Sequence, residues 1–192
     1  HLRATYPTLM FDTLAFEIDE KGNPYWIAPV YNYKIGLFGG KDITGAVVVN
    51  AINGDHEYYD IDKVPEWVDR AYPAELVLSQ LENYGKYTNG YFNTLFSQKG
   101  VLQPTSGYNY VAINDDVYLY TGLTSVSNDA SNVGFAMINL RTKDGKYYNI
   151  SGAEEYSAMS SAEGQVQNLK YTATFPILIN AGGQPTYFLS LK

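Results

Sequence analysis

The 192-residue chain contains no cysteine, which removes disulfides, thiolate nucleophiles and zinc–thiolate sites in one stroke. Histidine is almost absent: His1 opens the chain and His56 falls in a polar turn, so imidazole chemistry has at most one interior actor. Positive charge is also scarce. With 13 Lys and Arg against 20 Asp and Glu, the formal charge is −7, and no global field exists to attract nucleic-acid phosphates; a DNA or RNA partner is not expected. No apolar run reaches the roughly 18 residues that a membrane-spanning helix needs, and no secretory signal opens the chain. With 45% apolar and 17% charged residues, a chain of this length can bury about 70% of the surface its unfolded form exposes, as one large domain or two small ones.

What is abundant is aromatic: 19 Tyr, 8 Phe and 2 Trp, mostly within stretches rich in Val, Ile and Thr, a composition that favours strands. The sequence also repeats itself. Gly45-Ala46-Val47-Val48-Val49-Asn50, a turn at Asn53-Gly54-Asp55 and Tyr58-Tyr59-Asp60-Ile61 return 89 positions later as Gly134-Phe135-Ala136-Met137-Ile138-Asn139, a turn at Asp144-Gly145 and Tyr147-Tyr148-Asn149-Ile150. Each copy reads as a β-hairpin. A further hairpin pattern precedes each copy, at 14–30 around Asp19–Asn23 and at 108–122 around Asn114–Asp116. It recurs at 171–191 around Asn180–Gln184. Gly22-Asn23-Pro24 and Gly183-Gln184-Pro185 both place Pro at a strand entrance, where its missing N–H costs no ladder bond.

Between these groups the apolar period becomes helical. Pro73 opens a predicted helix with Val77, Leu81 and Tyr84 on one face and Gly85 as its stop. A second helix starts at a Ser151/Glu154 capping box, presents Tyr156, Met159 and Ala162, and ends at Gly164. Shorter helices are predicted over 65–72 and 89–97, and loops over 36–40, 98–107 and 125–132. The resulting unit is a helix followed by about three antiparallel strands. Residues 1–90 hold a first unit with a partial N-terminal helix and a helical connector; residues 91–192 hold a second unit and the start of a truncated third. A fragment of a longer polypeptide is the expectation, because a chain ending in an aromatic strand leaves an edge unfinished.

Several of these segments resemble PepSY domains. Glu163-Gly164-Gln165-Val166, then 171–179 and 183–191, is similar to that family's helix end and paired strands, and the hairpins 47–59 and 136–148 are similar to its closing hairpin. Asn50 and Asn139 stand where the family's hairpin has aspartate, and 62–106 is longer than its usual linker. Taken whole, the chain resembles the extracytoplasmic, PepSY-like repeat region of large membrane-anchored proteins of Gram-positive bacteria. The resemblance implies an α+β fold of tandem units, each a helix on a roughly three-stranded antiparallel sheet. It also implies an envelope location with the anchor outside this chain, and a role in binding and restraining peptidases. It carries over no catalytic residue and no cofactor.

The residues themselves offer few reactive constellations. The pairs Asp19/Glu20, Asp115/Asp116 and Glu154/Glu155 could act as acid and base or hold a divalent cation, but two fall in turns and the third in a first helical turn, where solvated charge is the simpler reading. His56 with Asp55, Glu57 and Asp60 alternates along a strand and does not converge. Gly36-Leu37-Phe38-Gly39-Gly40-Lys41 lacks the spacing of a phosphate loop. The aromatics carry the binding expectation. In Tyr58/Tyr59 and Tyr147/Tyr148 one ring of each pair faces inward and one outward; the outward rings, with Trp26, form the candidate face. The expectation is a non-catalytic module that binds a protein of the cell envelope or, alternatively, a cell-wall glycan through its tyrosines.

Overall fold

Runs of β-branched and aromatic residues broken by Gly, Asn and Asp dictate short antiparallel strands, and these dominate the chain. The structure, a computed structural model, describes residues 2–34, 39–90, 93, 95, 98, 100–126, 131–150, 152–182 and 184–192. The fold is α+β, with mostly antiparallel sheets and few helices. In order along the chain are α1 (Leu2–Thr5), β1 (Met10–Phe11), β2 (Ala15–Ile18), β3 (Pro24–Tyr33), β4 (Lys41–Asn50), β5 (His56–Asp60) and α2 (Ala74–Tyr87). There follow β6 (Leu102–Pro104), β7 (Asn109–Ile113), β8 (Asp116–Ser125), β9 (Ser131–Asn139), β10 (Gly145–Tyr148), β11 (Gly152–Ala153), α3 (Glu155–Gln165), β12 (Ile177–Ala181) and β13 (Gln184–Phe188). Two compact units divide the residues: His1–Val77 with Ile113–Val117 and Asn139–Asp144, and Leu78–Ala112 with Tyr118–Ile138 and Gly145–Lys192.

The first unit is built on a five-stranded sheet, β1-β3-β4-β5 with β2 also on β3. One face buries Ala28, Val30 and Val47 against Leu2, Tyr6 and Leu9, which α1 and its following turn supply, and Phe11 of β1. The opposite face buries Ile27, Ala46 and Val48. Residues 64–73 are tied to this second face rather than forming the helix predicted there. Trp67 meets the Tyr25 ring at 4.8 Å, and the Glu17 carboxylate accepts the N–H groups of Asp69 (2.8 Å) and Arg70 (3.0 Å). Extended backbone leaves N–H groups unpaired, and a buried carboxylate takes two of them. The second unit carries a six-stranded sheet, β10-β9-β8-β6 with β7 on β8 and β11 on β9, and the separate hairpin β12–β13. Both sheets are therefore wider than the three strands expected: two successive hairpins pair into each, and the short strands β1 in the first sheet and β6 and β11 in the second add to them.

The 89-residue repeat is present bond for bond. Val47 pairs with Tyr58 and Ala136 with Tyr147; Ala46 pairs with Tyr59 and Phe135 with Tyr148. The Asn50 side-chain oxygen accepts the N–H groups of Ile52 (2.8 Å) and Asn53 (3.2 Å), as the Asn139 oxygen accepts those of Arg141 (2.8 Å) and Thr142 (3.0 Å). The backbone N–H of Gly54 reaches the Asn50 carbonyl at 2.9 Å, and that of Lys143 reaches the Asn139 carbonyl at 2.9 Å. Gly54 (φ 81°) and Lys143 (φ 67°) both occupy the left-handed region. Lys143 holds there without glycine's freedom while its ammonium is bonded to Asp42 at 2.7 Å. Upstream the equivalence continues at a spacing of 93: Asp12 N–H bonds to the Pro29 carbonyl and Thr105 N–H to the Gly122 carbonyl, each at 2.9 Å. Pro24 and Val117, again 93 apart, accept the N–H groups of Ala51 and Leu140, each at 2.9 Å.

Other expectations needed correction. α2 runs through Gly85 to Tyr87; the glycine is a contact point, since a Cβ there would lie 2.3 Å from the Leu102 carbonyl oxygen. α3 likewise continues past Gly164 and has Glu154 at its N-cap with no side-chain bond, while Ser151 lies outside the described residues. β12 begins at Ile177 rather than at 171, and only the bridge between Ala173 and Leu191 extends that pairing. Of the helix predicted over 89–97, Asn93 and Leu95 are helical and most of the remainder lies outside the described residues, as do 35–38 and 127–130.

Two predictions follow from this packing. A Cβ on Gly45 would lie 2.4 Å from the Tyr59 carbonyl oxygen and 2.5 Å from the Tyr58 hydroxyl; on Gly134 it would lie 2.4 Å from the Tyr148 carbonyl oxygen and 2.7 Å from the Tyr147 ring. Gly45→Ala and Gly134→Ala are each expected to cost about 1–3 kcal/mol in urea unfolding, the cost of overpacking a fixed backbone contact; two unchanged midpoints would contradict it. The second concerns Glu17. Burial raises its carboxyl above the ordinary 4.5, opposed by the bonds from Asp69 and Arg70 and by the Arg70 charge. The folded chain thus holds this proton more tightly than the unfolded one, a stabilisation complete below the unfolded pKa and lost as pH rises through the folded one. Glu17→Gln is expected to flatten the fall in stability above pH 4.5; an unchanged slope would contradict it.

Candidate binding surface

The faces of the first sheet follow from its register. Phe16, Trp26, Val49 and His56 stand directly opposite one another across β2, β3, β4 and β5, so their side chains share a face. That face also holds Ile18, opposite Pro24, and Tyr58, opposite Val47. It is the face that α1 covers over Ala28, Val30 and Val47. Beyond α1 the cover stops. Phe16 is 44% and Trp26 43% exposed, their rings meeting edge to face at 5.2 Å, and Leu14 and Ile18 are exposed beside them. Large apolar side chains that cluster in the open on a sheet mark a surface meant for contact.

The five candidate aromatics are not gathered on one surface. Trp26 and Tyr58 share the open face just described. Tyr59 points to the other face, where its hydroxyl donates to Glu57 at 2.6 Å; that bond first, and burial second, push its pKa up to about 12. Tyr58 is raised by burial first and by the Asp60 charge second. In the second unit Tyr147 reaches the Val133 carbonyl through its hydroxyl at 3.3 Å, whereas Tyr148 stacks on Phe135 at 4.6 Å with ring planes 12° apart. Alternation therefore splits each Tyr-Tyr pair, as expected of a strand. His56 is not a turn residue: it begins β5, half-buried, with Nδ1 3.0 Å from the Gly54 carbonyl and its ring edge-on to Tyr6 at 5.6 Å.

A second concavity lies in the first unit, a cleft of about 390 Å³ lined by Tyr25, Trp67 and Tyr59 together with Asn50, Asp55 and Glu57. Aromatic faces beside carboxylate and amide oxygens suit a polyhydroxylated ligand. Tyr25 and Trp67 were not among the expected residues, because Trp67 lies in the predicted helix and only non-local packing brings it to Tyr25. In the second unit, α2 from Leu78 onward lies against β6, β8, β9 and β10. Leu81, Tyr84, Gly85 and Thr88 of this helix and its end face Leu102, Leu123, Ala136, Ile138 and Tyr147 across a groove of about 440 Å³.

Of the three carboxylate pairs, Asp19 behaves as a turn residue, accepting from the backbone of Lys21 and Asn23 and from the Asn23 amide. Asp116 pairs with Arg141 at 2.7 Å. Glu155 departs from the solvated-cap expectation: it is 0% exposed, and neither carboxylate oxygen has a hydrogen-bond partner among the described residues. Its carboxylate fills the space left by Gly122, where a Cβ would lie 1.9 Å from Oε1. Burial, and secondarily the Glu155 charge, pushes Tyr187 up to about 12. Among the described residues no group of three or more His, Cys, Asp or Glu side chains is placed to hold a metal ion. Comparisons of the chain with protein-family profiles, with curated proteins and with solved structures find no match.

The open face carries a stability prediction of its own. Trp26 corresponds, at the 93-residue spacing, to Leu119, which is 0% exposed. Trp26→Ala is expected to cost about 1 kcal/mol or less in urea unfolding, and Leu119→Ala about 2–5 kcal/mol. A larger loss at Trp26 than at Leu119 would show that the open face is an interior surface.

Proposed function

We propose that the chain is a non-catalytic interaction module of PepSY-like tandem units. It belongs on this reading to the outer region of a membrane-anchored protein of a Gram-positive bacterium and binds a peptidase or another protein of the envelope. The observation that carries the binding role is the uncovered half of the first sheet, where Leu14, Phe16, Ile18 and Trp26 are exposed together on a face whose other half is packed. The family and the address rest on the sequence resemblance and on the hairpin repeat that it includes.

A second reading, a module for cell-wall glycan, is favoured by the cleft around Tyr25 and Trp67, whose rings and acidic rim fit a sugar. One comparison separates the two. A benzophenone amino acid placed at Phe16, and in a control at the exposed turn residue Ile52, is irradiated in the cells that make the protein. The interaction reading expects a protein adduct from position 16 and none from position 52. Adducts absent from both positions, together with a saturable fluorescence response to muropeptides that Trp67→Ala abolishes, would overturn it in favour of the glycan.

A further inference from the structure

The face of the first sheet opposite the open one carries a cleft whose lining selects a charge. Ile27 stands opposite Val48 and Val48 opposite Glu57, so Tyr25, Asn50, Glu57 and Tyr59 all project from this face. Trp67, from the segment laid over the same face, brings its ring 4.8 Å from that of Tyr25 with the planes 40° apart. Tyr25 is also near enough to Tyr59 for its charge to add to the rise in the Tyr59 pKa. Three rings and the carboxylates of Asp55 and Glu57 thus line one cleft of about 390 Å³, and among the described residues no Lys or Arg lines it.

The two carboxylates are held in place without being neutralised. Glu57 accepts the Tyr59 hydroxyl at 2.6 Å and Asp55 the Asn53 amide at 2.6 Å, both uncharged donors. Among the described residues neither acid has an ion-pair partner, whereas Glu17 on the same face is answered by Arg70 at 3.5 Å. The rings call for the same sign. An aromatic face is the negative part of its quadrupole and attracts a cation within about 6 Å of its centroid. With the two centroids 4.8 Å apart, one group can lie within that reach of both. A small inorganic cation holds its water too firmly to gain from ring faces, while a quaternary ammonium presents methyl groups to the rings and its charge to the carboxylates. A sugar stacks on the same rings but leaves both carboxylates without a counter-charge.

We propose that this cleft binds a small organic cation bearing a quaternary ammonium group, seated on the Tyr25 and Trp67 rings with Asp55 and Glu57 supplying the counter-charge. The inference goes beyond the interaction reading, which concerns the opposite face, and competes with the glycan for the cleft alone.

The test uses the full chain carrying Trp26→Phe, so that Trp67 is the remaining tryptophan of the two, with choline chloride as the probe at constant ionic strength. A saturable change in Trp67 emission is expected. The uncharged carbon analogue of choline, dimethylbutanol, should bind at least about 10-fold more weakly, and so should choline to the double variant Asp55→Asn with Glu57→Gln. Phosphocholine, whose phosphate meets the same carboxylates, should also bind more weakly than choline, as a site for a free cation rather than a phospholipid headgroup requires. Melting curves confirm that each variant is folded, and Ile52→Asn serves as a silent control. No saturable response in tens of millimolar choline, an equal response to the uncharged analogue, or unchanged affinity in the folded double variant overturns the proposal. So does tighter binding of phosphocholine. A muropeptide response that Trp67→Ala abolishes, with none to choline, gives the cleft to a glycan; a protein adduct from position 16 with no choline response removes the cation and leaves the interaction reading standing.

Discussion

A sheet whose strands carry apolar residues on both sides must be covered on both sides, and every major feature of this chain answers that constraint. In the first unit Ile27, Ala46 and Val48 face one way and Ala28, Val30 and Val47 the other, and all are buried. Segment 64–73 serves one face and α1 the other. In the second unit Tyr120 and Phe135 on one side, and Leu119, Leu123 and Ala136 on the other, are buried in the same alternation. Close approach completes the cover: Gly85 lets a helix touch a strand, and Gly45 and Gly134 let a tyrosine ring cross the neighbouring strand.

The hairpin repeat was legible in the sequence because its bonds are local and its donors and acceptors are fixed by residue type. Asn50 and Asn139 cap their turns through side-chain oxygens two and three residues on, and Asp55 and Asp144 close them, so the pattern survives in the letters. The strand alternation that separates Tyr58 from Tyr59 and Tyr147 from Tyr148 was legible for the same reason.

What was hidden depends on partners distant in sequence. Residues 65–72 have a helical look, yet the N–H groups of Asp69 and Arg70 are taken by Glu17, more than 50 positions earlier. Glu155 reads as a solvated first-turn acid, but the vacancy at Gly122 admits its carboxylate to the interior. Gly85 reads as a stop and acts as a contact, because its meaning is set by Leu102. The open face was only half legible: Trp26 stood out by type, whereas Phe16 joined it through the register of β2 on β3.

The account therefore turns on an inequality between equivalent faces of two repeats, and hydroxyl-radical footprinting of the free chain reads it directly. After correction for intrinsic reactivity, Phe16 and Trp26 are predicted to oxidise as solvent-facing side chains while Leu119 and Ile138 are strongly protected. Equal protection of the two sets would mean that this half of the first sheet is already covered, and would contradict the claim that it lies open.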